Sequence, residues 1–104
     1  MEIKIAQNGS WYHGSNVRLE VLRAGSTVTQ WRELAEAFSH KPKTLSYDGA
    51  GRIFHDGGEK GYLYVVDEPV AVGTDIYQHP RTTMALNAEF LTARELKVKM
   101  IAER

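Results

Sequence analysis

The sequence predicts an α+β domain in which short, mostly antiparallel strands form the core beside one main helix. Apolar residues recur at helical spacing in only one segment, whereas short runs rich in β-branched and aromatic residues occur along the rest of the chain. The connections between these runs are too short for repeated helical crossovers, which favours antiparallel pairing. Because 104 residues can enclose only one core, we expect a single compact domain over residues 1–104.

The amino-acid composition argues against several kinds of partner, site and location. The 13 basic and 13 acidic residues cancel, and no segment concentrates Lys or Arg, so the sequence predicts no nucleic-acid partner. The absence of cysteine excludes disulfides, thiolate zinc sites and a cysteine nucleophile, and it favours the reducing cytoplasm. The longest strongly apolar run, residues 62–66, is too short to cross a membrane, and residues 1–9 lack the apolar run of a signal peptide.

Strands are expected on both sides of the helix. Residues 1–9 alternate polar and apolar and predict a short strand that ends in an Asn8-Gly9 turn. Further strands are predicted at residues 19–22, 44–47, 61–66, 69–72, 84–91 and 96–101. Gly, Asp or Pro residues mark turns at residues 24–26, 48–51, 55–58 and 78–81.

The helix is predicted over residues 29–40. Its apolar side chains recur at three- and four-residue spacing and so share one face: Trp31, Leu34, Ala35 and Phe38. Thr29 is the expected N-cap residue, and Pro42 stands just beyond the end, where it cannot continue a helix.

The segment 11–16 carries unusual chemistry for the end of a strand. Two aromatic residues are followed by His13, Gly14 and Ser15. An imidazole can donate or accept a hydrogen bond near neutral pH, and a glycine leaves its amide and carbonyl uncovered for a ligand. The same three residues could instead only stabilise a turn, so the segment by itself leaves a binding site and a structural turn open.

Residues 12–16 resemble the opening Tyr-His-Gly-Ser/Thr strand of the ADP-ribosyltransferase superfamily, in particular its His-Tyr-Glu branch. That branch includes diphtheria-like toxins, poly-ADP-ribose polymerases and small bacterial enzymes that modify rifamycins. Residues 22–25 reproduce the Leu-x-x-Gly step that follows this strand in the family. The resemblance implies a compact fold like a minimal ADP-ribosyltransferase core.

Two later segments are also similar to that family. Residues 27–29 lead into the helix as the family's second strand does, and Phe38 falls where a later aromatic stacks on nicotinamide. Residues 87–92, followed by residues 96–101, are similar to a late strand with a Glu at its start, a loop and a final strand, which makes Glu89 the matching carboxylate. The family normally has a Tyr at or beside Thr27, which this chain lacks.

The resemblance implies that NAD is the substrate and that Glu89 and His13 are catalytic. Glu89 would oppose the positive charge that develops on the ribose, and His13 would hydrogen-bond the ribose. The NAD-binding residues implied in the same way are His13, Gly14, Ser15, Thr27 and Phe38. The backbone of Gly14 would hold the carboxamide, and the Phe38 ring would stack on the nicotinamide.

Several assignments stay open at this point. Glu95 is an alternative carboxylate, although it lies in the predicted loop between the last two strands. Arg18, Arg23 and Lys43 are candidates for binding phosphate because they are near the matched segments in sequence. The four histidines are scattered, with no pair at the spacing that puts two imidazoles on one helix face, so we expect no metal site.

We therefore expect an NAD-binding protein that transfers ADP-ribose to a protein or small molecule, or that hydrolyses NAD. A non-catalytic interaction module that keeps the fold is one alternative. An NAD-dependent RNA 2′-phosphotransferase is another, and the neutral net charge weighs against it. The sequence defines neither the acceptor of ADP-ribose nor the oligomeric state.

Overall fold

The computed structural model describes residues 4–6, 9–81 and 87–103. Its elements in chain order are β1 (Tyr12–Ser15), β2 (Val21–Leu22), β3 (Thr27–Val28), α1 (Arg32–Ser39), β4 (Leu45–Tyr47), β5 (Ile53–His55), β6 (Tyr62–Val66), β7 (Ile76–Gln78), β8 (Phe90–Thr92) and β9 (Leu96–Glu103). Every pair of these strands is antiparallel. The predicted α+β class, with mostly antiparallel strands and one helix, is thus confirmed. No helix in the described ranges is long and apolar enough to cross a membrane.

The strands form one curled half-barrel and a separate hairpin. A four-stranded sheet has the order β1-β6-β9-β2, a three-stranded sheet has the order β3-β8-β7, and β4 and β5 form the hairpin. Tyr12 and Thr29 join the first two sheets, because the N–H of each donates to the carbonyl of the other at 2.7 and 3.0 Å. A register shift between Leu63 and Tyr64 bends β6 and adds to the curl.

The inner side of the half-barrel holds the main hydrophobic core. Its buried side chains come from both sheets and the segments beside them, and they are Trp11, Leu22, Val28, Ile76, Phe90 and Leu96. The rings of Trp11 and Phe90 meet edge to face, with centroids 4.9 Å apart. Because side chains alternate across a strand, the neighbours of these residues point to the outer side of the sheet.

Helix α1 packs on the outer side, directly over β1. A Cβ atom added to Gly14 would clash with the carbonyl oxygen of Ala35 and lie 2.8 Å from the amide nitrogen of Ser39. Leu34 on the helix packs against Ala88, and both are fully buried. The glycine therefore allows the helix backbone to approach the strand more closely than any other residue would.

The helix begins later than the sequence indicates, and the prediction of Thr29 as its N-cap is wrong. The N-cap position is Trp31. Thr29 is instead held in extended conformation by its pair with Tyr12. Its hydroxyl accepts the N–H of Trp31 at 3.0 Å and so stabilises the turn into the helix.

Several strand predictions need correction. Residues 69–72 form no strand, because Asp75 accepts the Ala71 N–H and closes a turn there, leaving only an isolated bridge at Val72. No strand was predicted at β5 or β7, and their last residues, His55 and Gln78, fall at the first positions of predicted turns. Residues 4–6 are not in a strand, and the rest of the predicted first strand except Gly9 lies outside the described residues. The strand predicted at 84–91 also falls partly outside them, and β8 begins at Phe90.

Candidate functional site

A gap opens between β1 and β3 immediately after the pair that joins them. Tyr12 and Thr29 are bonded through both backbone groups. An antiparallel ladder would next bond Gly14 to Thr27. Within the described residues, backbone pairing between these two strands stops at Tyr12 and Thr29.

The side chain of His13 spans this gap. Its Nδ1 lies 2.6 Å from the carbonyl oxygen of Thr27. Because a carbonyl can only accept, Nδ1 carries the proton, and in the neutral ring Nε2 is left as an acceptor. Burial lowers the pKa of His13 below its ordinary value, and the bond to Thr27 opposes part of that shift. His13 is therefore neutral at pH 7 and offers a hydrogen-bond acceptor at the gap.

Gly14 offers a donor and an acceptor at the same place. Backbone groups of successive strand residues face opposite neighbours. Those of Tyr12 face β3, and the carbonyl of Trp11 accepts the Val66 N–H on the β6 side. The N–H and C=O of Gly14 consequently face the gap, where no backbone bond to β3 is present among the described residues.

A cavity of about 550 Å³ lies on the inner side of the half-barrel and reaches His13. Four charged side chains contribute to its wall, and they are Arg18, Glu20, Arg23 and Glu95. The wall formed by residues 17–19 is fixed by Tyr64, whose hydroxyl accepts the Leu19 N–H at 2.8 Å and donates to the Val17 carbonyl at 2.9 Å. The cavity therefore combines two guanidinium groups, two carboxylates and a neutral imidazole.

Glu89 lies on the other side of the sheet from this cavity. Its carbonyl accepts the His79 N–H, so it continues the ladder of β7 and β8 by one residue. The next residue, Phe90, points into the core, so the side chain of Glu89 leaves from the outer face. The side chain of His13 projects from the inner face, as that of Trp11 does. The cavity that reaches His13 does not include Glu89 in its lining.

The remaining residues expected at the site lie in β1, β3 and α1. Thr27 is in β3 opposite Leu91, and the alternation puts its side chain on the same face as Glu89. Phe38 packs against the Leu34–Ala88 cluster on that face. Ser15 ends β1, and its hydroxyl accepts the Val17 N–H at 3.2 Å. The structure thus places His13 on the inner face and Thr27, Phe38 and Glu89 on the outer face.

Two of the three phosphate-binding candidates, which were chosen for their proximity in sequence to the matched segments, line the cavity. Arg18 and Arg23 do line the cavity with His13, whereas the backbone N–H of Lys43 binds the Asp56 carboxylate beside the hairpin. The role of Tyr64 was not foreseen, because it lies in an apolar run that predicts only a core strand. No group of three or more metal-ligating side chains that could hold an ion occurs in the described parts of the chain.

Comparison with known proteins adds no assignment: no protein-family model, no curated protein and no solved structure matches this chain.

Proposed function

We propose that the protein binds NAD across the β1–β3 gap and the adjoining cavity and transfers its ADP-ribose group to an acceptor or to water. The observation that carries this proposal is the His13 bond to Thr27. It fixes an acceptor nitrogen beside Gly14, whose amide and carbonyl have no backbone bond to β3 among the described residues. The resemblance of residues 12–16 to the ADP-ribosyltransferase family assigns these same groups to the nicotinamide ribose and carboxamide.

A carboxamide fits the edge of Gly14. A primary amide can accept from a backbone N–H with its oxygen and donate to the carbonyl of the same residue with its nitrogen. The protein already contains this arrangement, because the side-chain amide of Gln30 bonds both the N–H and the C=O of Ala6 at 2.8 Å. The carboxamide of nicotinamide would make the same pair of bonds at Gly14.

The ribose would then lie near His13, with Nε2 accepting one of its hydroxyls. Cleavage breaks the bond from the ribose carbon to the nicotinamide nitrogen, which keeps both electrons. Water or an acceptor adds to that carbon and releases a proton. Positive charge grows on the ribose before the new bond forms, and a carboxylate close to the gap would stabilise it. Glu89 is the carboxylate we assign to this role.

The diphosphate of NAD would be held in the cavity on the inner side. Arg18 and Arg23 supply guanidinium groups that match phosphate oxygens in geometry and charge. A neutral His13 adds no charge there, so Arg18 and Arg23 are the positive groups of a wall that also carries the carboxylates of Glu20 and Glu95.

A titration monitored by the amide resonances of labelled protein tests the proposal. NAD and nicotinamide should both shift the amides of His13, Gly14 and the first turn of α1. Nicotinic acid is the matched control, because it has the same ring but cannot donate to the Gly14 carbonyl, and it should bind markedly more weakly. Equal binding of the two rings, or no shift at millimolar NAD, would count against the proposal.

A further inference from the structure

We propose that Glu95 recognises the free 2′- and 3′-hydroxyls of the adenosine ribose of NAD, and that this contact makes the protein select NAD over NADP. The inference rests on the proposed function and specifies its substrate. It follows from the position of Glu95 beside Arg23 in the wall of the cavity.

Glu95 and Arg23 line the same cavity. Leu22, the last residue of β2, is paired with Leu96, the first residue of β9, so Arg23 directly follows this pair and Glu95 directly precedes it. The ion pairs of the described residues do not include one between them. A guanidinium and a carboxylate in the wall of one cavity can bind the phosphate and the sugar hydroxyls of one nucleotide.

The backbone of Glu95 is fixed although its side chain is exposed. Arg94 donates to the Glu95 carbonyl at 2.9 Å and pairs with Glu68 at 2.7 Å and with Asp75 at 2.9 Å. The next residue, Leu96, is fully buried. No hydrogen bond or ion pair of the Glu95 carboxylate occurs within the described part of the chain, so the group is free to bind a ligand.

A carboxylate distinguishes a hydroxyl from a phosphate at this place. Ionised, it has only acceptor positions, and it can accept bonds from two adjacent hydroxyls of a ribose. A phosphate on the 2′ oxygen removes one of those donors and brings a second negative group against the carboxylate. The same physical reasoning explains how an acidic residue favours NAD in other nucleotide sites.

The test compares the affinities of NAD and NADP, and of AMP and adenosine 2′,5′-bisphosphate, for the whole protein and two variants. The unmodified protein should bind NAD and AMP at least about tenfold more tightly than their 2′-phosphorylated forms. Glu95→Gln keeps the size of the side chain and removes its charge, so it should reduce that ratio on the order of tenfold. Glu20→Gln is the matched control, and it should change the ratio by about twofold or less.

An unchanged ratio in Glu95→Gln, or an equal change in Glu20→Gln, would overturn the assignment. A different result would show that the proposed function is wrong while this inference holds. In that case AMP would bind near Arg23 with a preference that depends on Glu95, but nicotinamide would leave the Gly14 amide unshifted. Binding of NAD and NADP with equal affinity would overturn the inference and leave the nicotinamide site standing.

Discussion

The imidazole of His13 replaces a backbone hydrogen bond to Thr27: its Nδ1 donates at 2.6 Å to the carbonyl that the continuing β1–β3 ladder would have used. This side-chain hydrogen bond has two consequences. It satisfies the Thr27 carbonyl, which would otherwise be a buried or poorly hydrated acceptor. It also takes the place of the next backbone pair, so the Gly14 backbone has no bond to β3 among the described residues.

Replacing His13 by Asn should separate its structural role from its role in binding. The Asn side-chain nitrogen can stand in for Nδ1 and donate to Thr27, but the side chain has nothing in place of Nε2. We expect the free energy of unfolding to change by less than about 1 kcal/mol and the affinity for NAD to fall roughly three- to tenfold, the loss of one neutral hydrogen bond.

Denaturant unfolding and calorimetric titration measure the two quantities. His13→Ala is the control, because it removes both ring nitrogens and should reduce stability as well as affinity. Unchanged NAD affinity in His13→Asn would exclude contact between Nε2 and the ligand.

The stability of the protein should depend on pH through His13. Its pKa in the folded state is lowered from the ordinary value of 6.5, chiefly by burial. As the pH falls, the unfolded chain therefore takes up this proton first, and the folded state loses stability from about pH 6.5 down through the folded-state pKa. The contribution of His13 is fully present above pH 6.5.

The chain contains three other histidines, so the measurement is a difference between two proteins. Unfolding in urea between about pH 7.5 and 5 should show a shallower loss of stability for His13→Asn than for the unmodified chain. Parallel curves would indicate that the imidazole is not desolvated in the folded protein.

Gly14→Ala should destabilise the fold strongly. The new methyl group would clash with the Ala35 carbonyl, and both partners belong to backbone that cannot move independently. We expect a loss of about 2–4 kcal/mol, larger than ordinary overpacking of side chains. Gly49→Ala is the matched control, because a Cβ there meets no atom within 4 Å. A melting temperature for Gly14→Ala close to that of Gly49→Ala would contradict the packing of α1 on β1.

The antiparallel α+β class and the main helix could be predicted because they depend on local patterns. The spacing of Leu34, Ala35 and Phe38 determines which helix face is buried, and dense turn residues require short connections. The start of the helix could not be predicted, because Thr29 is a good N-cap residue in isolation. Its pairing with Tyr12, 17 positions earlier in the chain, holds it in extended conformation instead.

The site could be predicted only in part, for a similar reason. The uncovered backbone of Gly14 and the imidazole of His13 are visible as residue types, but the gap that gives them a role depends on where β1 and β3 separate. That Arg23 and Glu95 line one cavity depends on the pairing of β2 with β9. Residues 72 positions apart carry no local signal of such a pairing.

Tyr64→Phe should damage the cavity without disturbing the sheet. The Tyr64 hydroxyl satisfies the Leu19 N–H and the Val17 carbonyl, and the residue is fully buried. Removing it leaves two backbone groups without their partner, which costs about 1–3 kcal/mol of stability. Because residues 17–19 form part of the cavity wall, AMP affinity should fall as well. Tyr62→Phe is the control, and hydrogen exchange of the Leu19 amide should be faster only in Tyr64→Phe.

The last prediction concerns which carboxylate acts on the ribose. Glu89→Gln preserves size and some hydrogen bonding but removes the charge, so NAD turnover should fall roughly 100-fold or more in kcat with little change in NAD affinity. Glu95→Gln should show the opposite pattern, with a raised KM for NAD and kcat within about twofold, because its contact is made equally before and during cleavage. Release of nicotinamide measures both parameters. If kcat instead fell in Glu95→Gln and held in Glu89→Gln, the chemistry would take place on the inner face beside His13, and the placement of Glu89 on the outer face would be the reason it takes no part.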